Sequence, residues 1–173
     1  QTIEGIRQGI AQQAAEALNR LDDPRILPAL IGHSAPQVAA TLSRRSLVMP
    51  FQKRPEDMAR CFQAADLTLV SSEVETFGRI AAESQACGTP VVTFATGGLP
   101  EVVLDGVGGV VVDRFDIEGF ARAVGALAGD AAKRQEMGAA AAESARSRFT
   151  NETITNEYLR IYAAARETQG RAA

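Results

Sequence analysis

One histidine, His33, and two cysteines, Cys61 and Cys87, are all that this 173-residue sequence holds of the two most versatile catalytic side chains. No Ser-His or Cys-His constellation for nucleophilic catalysis stands out. The cysteines sit in apolar settings without CxxC spacing and without a neighbouring histidine, which argues against a structural zinc site and for a reduced, cytosolic compartment. There is no excess of positive charge. Lys and Arg number 18 against 21 Asp and Glu, a net charge of -3 scattered along the chain. That leaves no basic face for nucleic acid and no polybasic anchor for an anionic membrane. No apolar run approaches the roughly 18 to 20 residues that cross a bilayer, and the start lacks a signal-peptide profile. No integral membrane segment is expected, although peripheral attachment through another part of the protein stays compatible. An Asp-x-Asp metal signature is also missing, so no metal or other cofactor is expected.

What is present is enough for one core: 46% of the residues are apolar. The sequence reads as a single domain over 1–173, and its start at Gln1 rather than Met reads as a piece of a longer protein. Ile3, Ile6, Ile10, Ala14, Leu18 and Leu21 recur at helical spacing, predicting an opening helix that ends near Asp22-Asp23-Pro24. Ile26 to Ile31 and Ser46 to Phe51 are short apolar runs, the pattern of strands covered on both faces, with a short helix from Pro36 to Ser43 between them. Arg54-Pro55-Glu56-Asp57 opens a helix with Met58, Cys61 and Phe62 on its inner face. Strands follow at Leu67 to Val70, Val91 to Phe94 and Gly109 to Val112, with a helix from Phe77 to Ala86. Three helices close the chain, about 117–127, 131–148 and 152–165. Strands alternating with helices in this way predict an α/β fold: an open parallel sheet, helices on both faces.

The segment Ser71 to Glu83 (SSEVETFGRIAAE) carries the chemistry. It follows a strand and opens a helix, so it lies where open α/β sheets bind ligands, beyond the carboxyl ends of the strands. Thr76 is placed to cap the helix, and Gly78 keeps its first turn free of a side chain. Unpaired N–H groups and the helix dipole make such a start an anion site, suited to a diphosphate. Glu75 and Glu83 bracket it, separated by on the order of 10 Å at about 1.5 Å per residue. That is the scale of a diphosphate between two hydroxyl-bearing rings, and each carboxylate can accept from ring hydroxyls. An arbitrary pair of glutamates would instead be a loop acid and a solvated helix residue.

The run ETFGRIAAESQACGTPVV, followed by ATGGLPEVV and GGVVVD, resembles the C-terminal domain of the group 1 glycosyltransferases, a large retaining GT-B family. Three features stand in the family's order: the E-x(7)-E pair at Glu75 and Glu83, the turn Cys87-Gly88-Thr89-Pro90 into a strand, and the GGxPE turn at Gly97 to Glu101. Weaker matches extend across nearly the whole chain. The resemblance implies a Rossmann-like domain that binds a nucleoside-diphosphate sugar and transfers a hexosyl group with retention. Glu75 would contact the transferred sugar as the catalytic residue. Thr76, Phe77 and Gly78 would lie against sugar and diphosphate, and Glu83 would hold the ribose. Backbone near Met49, Pro50 and Phe51 would read the base. Gly97 and Gly98 would keep a loop low beside the site, unless they form an ordinary turn. Arg79 and Lys53 are candidate phosphate cations, and exposed residues otherwise. His33, at a strand end, reads as a hydrogen-bonding loop residue rather than a catalytic one.

The implied partners are the nucleotide-sugar donor and an N-terminal acceptor domain of the same protein, toward which the helix 152–168 would cross. The chain departs from the family pattern at its start. A strand and a loop with Lys before Gly are usual, and here Glu4-Gly5 stands in that place. Competing readings are a GT-B nucleotide-sugar 2-epimerase, which would want more acids and histidines; a receiver domain, which needs an Asp at a strand's carboxyl end where Ser71-Ser72 stand; and a purely structural half-enzyme.

Overall fold

The computed structural model describes residues 12–170, with side chains described to 166. Ile3, Glu4, Gly5, Ile6 and Ile10 therefore lie outside the described residues. The opening helix, α1, is seen over residues 12–19. Then follow β1 (Ala29–Ile31), α2 (Ala35–Ala39), β2 (Leu47–Met49), α3 (Pro55–Ala64), β3 (Thr68–Val70), α4 (Arg79–Ala86), β4 (Val91–Phe94), α5 (Leu99–Val102) and β5 (Gly109–Val112). Three helices finish the chain: α6 (Ile117–Gly129), α7 (Ala131–Arg148) and α8 (Asn151–Gly170).

Every strand pairing is parallel, as the alternation of strands and helices predicts. The ladder, however, is in two pieces: β1 pairs with β2, and β3, β4 and β5 form a separate sheet in that order. Strand β4 is its centre. Val92 and Phe94 face one side, where they meet Ala17 and Leu18 of α1, Phe120 and Val124 of α6, and Met137 of α7. Val91 faces the other side and packs with Val70, Ala81 and Ala82 of α4, and Leu99 and Val102 of α5. Side chains alternate across a strand, so one four-residue segment anchors two cores. All four of its residues are buried, and its one polar side chain, Thr93, donates to the Val70 carbonyl at 2.9 Å. The Phe94 and Phe120 rings lie 4.7 Å apart and seal the first core.

The β1–β2 pair corrects the sequence reading. Both runs shorten to three residues, and Leu47 and Val48 are 44% and 48% exposed rather than covered on both faces. Proline sets the limits. β1 begins after Pro28 and β2 ends before Pro50, because proline lacks the N–H that a ladder needs. Of the inner face expected for α3, only Phe62 is fully buried.

Helices α4 and α7 approach closely because Gly138 has no side chain: a Cβ there would stand 2.2 Å from the carbonyl oxygen of Gly88. Replacing an interior helical Gly by Ala normally stabilises by about 1 kcal/mol. Gly138→Ala is expected to do the reverse, lowering stability by about 1–3 kcal/mol as overpacking does. Gly129→Ala, at the end of α6 and meeting nothing within 4 Å, serves as the comparison without a clash and is expected to be as stable as wild type or slightly more so. Urea denaturation of both variants checks this.

Candidate functional site

The loop from Ser71 to Gly78 leaves the carboxyl end of β3 and enters α4. The helix opens later than the sequence suggested. Its first residue is Arg79 and its N-cap is Gly78, so Thr76 does not cap it and Phe77 is not helical. The reason is backbone conformation. Gly78 has φ 98° and ψ 48°, the left-handed region, which interrupts any helix attempted across 76–78 and which a residue with a side chain adopts at a cost. No side chain caps α4, so its first N–H groups keep no carbonyl partner one turn back.

A second loop, leaving β4, lies directly on the first. A Cβ on Gly97 would stand 1.6 Å from the carbonyl oxygen of Glu75, and one on Gly98 would stand 2.5 Å from that of Thr76 and 3.1 Å from Phe77 Cα. Neither glycine is an ordinary turn residue: each is needed so that two backbones can touch. Gly78 is close to a side chain instead: its Cβ would come within 2.7 Å of Leu99 Cδ2. The structure thus brings together Glu75, Thr76, Phe77 and Gly78 with Gly97 and Gly98.

The two glutamates occupy different settings. Glu75 is half-buried, and its Oε1 accepts from the Thr76 N–H at 3.0 Å. Glu83, one turn beyond Arg79, pairs with it at 3.4 Å, the two side chains being 48% and 84% exposed. An ion pair this open contributes about 0–1 kcal/mol, so Glu83 can exchange Arg79 for another partner at little cost. Cys87 shares that helical face. Burial raises its thiol pKa above the ordinary value, and the charge of Glu83 raises it further. Both causes disfavour the thiolate.

A cavity of about 360 Å³ opens between the two loops, lined by Thr76, Phe77, Gly97, Gly98, Glu101, Arg148 and Phe149. Neither Glu75 nor Glu83 lines it. A larger cleft of about 770 Å³ lies where the chain enters β1 and β2. That is the amino end of those strands, opposite to where open α/β sheets place ligands. Its Asp23 is committed to Arg25, whose side-chain and backbone hydrogen bonds lower the carboxyl pKa to about 2.

Met49, Phe51 and Lys53 stand apart from Glu75, at and beyond the end of β2. Met49 accepts from the Gly32 N–H at 3.1 Å. Phe51 is 56% exposed and stacks on His33, ring centres 5.5 Å apart and planes 13° off parallel. Lys53 is exposed and forms no ion pair among the described residues. Sequence reasoning missed three residues that hold the β3 loop. Gln13 of α1 donates to Glu73 Oε1 at 3.0 Å, Arg114 beyond β5 donates to the Glu73 carbonyl at 3.1 Å, and Phe149 sets its ring edge against Phe77. These links span 60, 41 and more than 70 positions, so no local motif announces them.

The sequence profile described as "Glycosyl transferases group 1" matches residues 12–144, well over half of the chain. The chain belongs to the group 1 glycosyltransferases. Among relatives of this glycosyltransferase chain, D-inositol 3-phosphate glycosyltransferase of Xylanimonas cellulosilytica is 46% identical over 121 residues, 70% of this chain and 28% of that protein. The chain thus spans under a third of that relative's length. Anabaena HepE in complex with UDP-glucose superposes with a TM-score of 0.73 at 23% identity, covering 91% of this chain and 45% of HepE. The C-terminal domain of a group 1 family protein, LpcC of Francisella tularensis, gives 0.68 at 17% identity, covering 86% of this chain and 83% of that domain. The fold is therefore the Rossmann-like fold of GT-B glycosyltransferases. No group of three or more His, Cys, Asp and Glu residues is placed to hold a metal among the described residues, and no described helix is long and apolar enough to cross a membrane.

Two outcomes test this geometry. Gly98→Ala is expected to displace Thr76 and Phe77 and cost about 1–3 kcal/mol, read by denaturant titration. Cys87 is expected to react with iodoacetamide at neutral pH more slowly than free cysteine and to gain reactivity in Glu83→Gln, followed by mass spectrometry.

Proposed function

We propose that this chain is the donor-binding, C-terminal half of a retaining glycosyltransferase that moves a hexosyl group from a nucleoside-diphosphate sugar to an acceptor. The observation that carries the reading is the β3–α4 loop. It ends in a helix start with uncapped N–H groups, is clamped by Gly97 and Gly98, and has Glu75 before it and Glu83 after it.

In this reading the diphosphate lies at the start of α4, where bare amides and the helix dipole favour negative charge. Arg79, 84% exposed at the first helical position, adds a cation. Those groups stabilise the charge that builds on the leaving diphosphate, and because they are fixed before reaction they need little reorganisation. Glu75 contacts the transferred sugar. Glu83 leaves its weak pair with Arg79 to accept from the ribose hydroxyls, which frees the guanidinium for phosphate. Met49 and Phe51, with the flat His33–Phe51 stack, form the base end, and Lys53 is a second phosphate cation. No metal takes part. HepE, whose fold this chain shares, is a protein seen with UDP-glucose, which supports the donor class.

An N-terminal acceptor domain would complete the enzyme, and the chain alone would bind better than it catalyses. α8 supports a crossing to that domain: Ile154, Tyr158, Leu159, Ile161 and Tyr162 are 42–65% exposed along it. A doubly wound sheet places the strand before its first helix at its centre, and the break between the β1–β2 and β3–β5 ladders supports a strand there, supplied ahead of α1. We place the enzyme in the cytoplasm, with any membrane contact made by the other half.

In the full-length protein, Glu83→Ala is expected to weaken binding of the cognate diphosphate among UDP, GDP and ADP by about tenfold, the scale of one hydrogen bond to a charged group. Glu75→Ala is expected to leave that affinity near wild type and lower kcat by about a hundredfold, the scale of one lost transition-state contact. Calorimetry and initial rates separate the two effects; wild-type behaviour in both variants sinks the assignment.

A further inference from the structure

One corner of the chain touches both loops of the site and lines the cavity between them. α7 ends at Arg148, Phe149 follows with its N–H on the Ala145 carbonyl at 2.9 Å, and Thr150 caps α8 by accepting from the Thr153 N–H at 3.1 Å. The Arg148 guanidinium reaches into α5, donating to the Val102 carbonyl at 3.4 Å and to the Glu101 carbonyl. α5 is one turn long, so its last carbonyls have no helical partner and an outside donor must serve them. Arg148 also stacks over the Phe149 ring at 4.7 Å, which restrains both side chains. Phe149 in turn meets Phe77 edge to face, centres 5.4 Å apart at 86°. Its other side packs on the core that contains Leu99 and Val102.

Resting on the donor-site reading above, we propose that Arg148 and Phe149 are positioning residues: together they fix the Gly97–Glu101 turn and the Thr76–Gly78 segment relative to each other, and so set the geometry of the diphosphate site. The physical case is one of alternatives. Phe77 is 45% exposed, and Phe149 is its ring partner among the described residues. Without that edge, the segment carrying the α4 N-cap loses the one aromatic restraint it has among the described residues. Without Arg148, the Glu101 carbonyl of the α5 turn is left to water, which serves it in many geometries, and the Val102 carbonyl keeps only the Gln85 Nε2 donor at 3.2 Å among the described residues. Neither residue need touch substrate for the site to feel its loss. A fixed guanidinium fork spanning two adjacent carbonyls cannot be replaced by a lysine, which presents a point charge on a flexible stem.

The test uses the full-length protein and substitutions mild enough to keep the fold, R148K and F149L, with F149Y as the rescue variant that keeps the ring. Calorimetry with UDP, GDP and ADP identifies the cognate diphosphate; donor KM, kcat and Tm are then measured. We expect R148K and F149L to raise the diphosphate Kd and donor KM by about tenfold, the scale of one displaced charged hydrogen bond, with kcat changed less and Tm near wild type. F149Y should restore wild-type values. Folded R148K and F149L with wild-type Kd and KM overturn the proposal. So does activity that falls only in step with the folded fraction at unchanged KM. A wild-type protein that binds none of the three diphosphates overturns the donor-site reading itself, a result separate from either of these.

Discussion

Everything at the candidate site depends on two stretches of main chain lying in direct contact, Gly97–Gly98 against Glu75–Phe77. Backbone-to-backbone approach of this kind tolerates no Cβ, as the 1.6 Å and 2.5 Å clashes show. It also fixes position more firmly than side-chain packing, because no rotamer lies between the two loops. The turn after β4 is tied to a buried strand, so the loop after β3 inherits the rigidity of the core through that contact. A site meant to stabilise developing charge gains from this, since groups already in place need not move when the charge appears.

The same contact explains why α4 starts where it does. With the chain pressed against the β4 turn up to Phe77, the direction of α4 can be reached only through a residue that accepts a positive φ, and Gly78 supplies it. Leu99, fully buried, then fills the space a Cβ would have taken. One apolar residue of the GGLPE turn and one glycine of the ETFGR segment are thus two halves of a single joint. Distant motifs in the sequence acquire a shared physical reason here.

Much of this could be read from the sequence, and the limits are instructive. β4, β5 and α7 have the bounds that patterning predicts: Val91–Phe94, Gly109–Val112 and Ala131–Arg148. β4 and β5 are short runs between turn residues, and α7 is an alanine-rich segment that starts at the Asp130 cap, whose side chain accepts from the Lys133 N–H. α4 starts later than its local sequence predicts: Thr76-Phe77-Gly78 reads as a capped helix start when only neighbours are considered, whereas the left-handed Gly78 accompanies the contact with the Gly97–Leu99 turn. β1 and β2 are shorter than their apolar runs, because apolar content does not by itself mean coverage on both faces and Pro28 and Pro50 bound the ladder. Glu75, Glu83 and the glycine pair were legible as a motif. Gln13, Arg114, Arg148 and Phe149 were not, since each acts through a contact with a remote carbonyl, carboxylate or ring that no spacing rule encodes.

The charges near the loop show how such a site can stay both ordered and available. Glu73 is held by Gln13 and Arg114, and Arg148 is spent on carbonyls of α5. These interactions are partnered within the fold and maintain shape. Among the described residues Arg79 and Glu83 form ion pairs only with each other, in water, where the pair contributes little. A ligand with a negative centre and a hydroxylated ring would take both partners at once, exchanging one weak pair for two charge-assisted contacts. The cost of opening the site is then small, while the loops that carry it stay fixed. That separation, firm backbone beneath loosely paired charges, is what a site needs if it must bind a diphosphate sugar and later release the diphosphate.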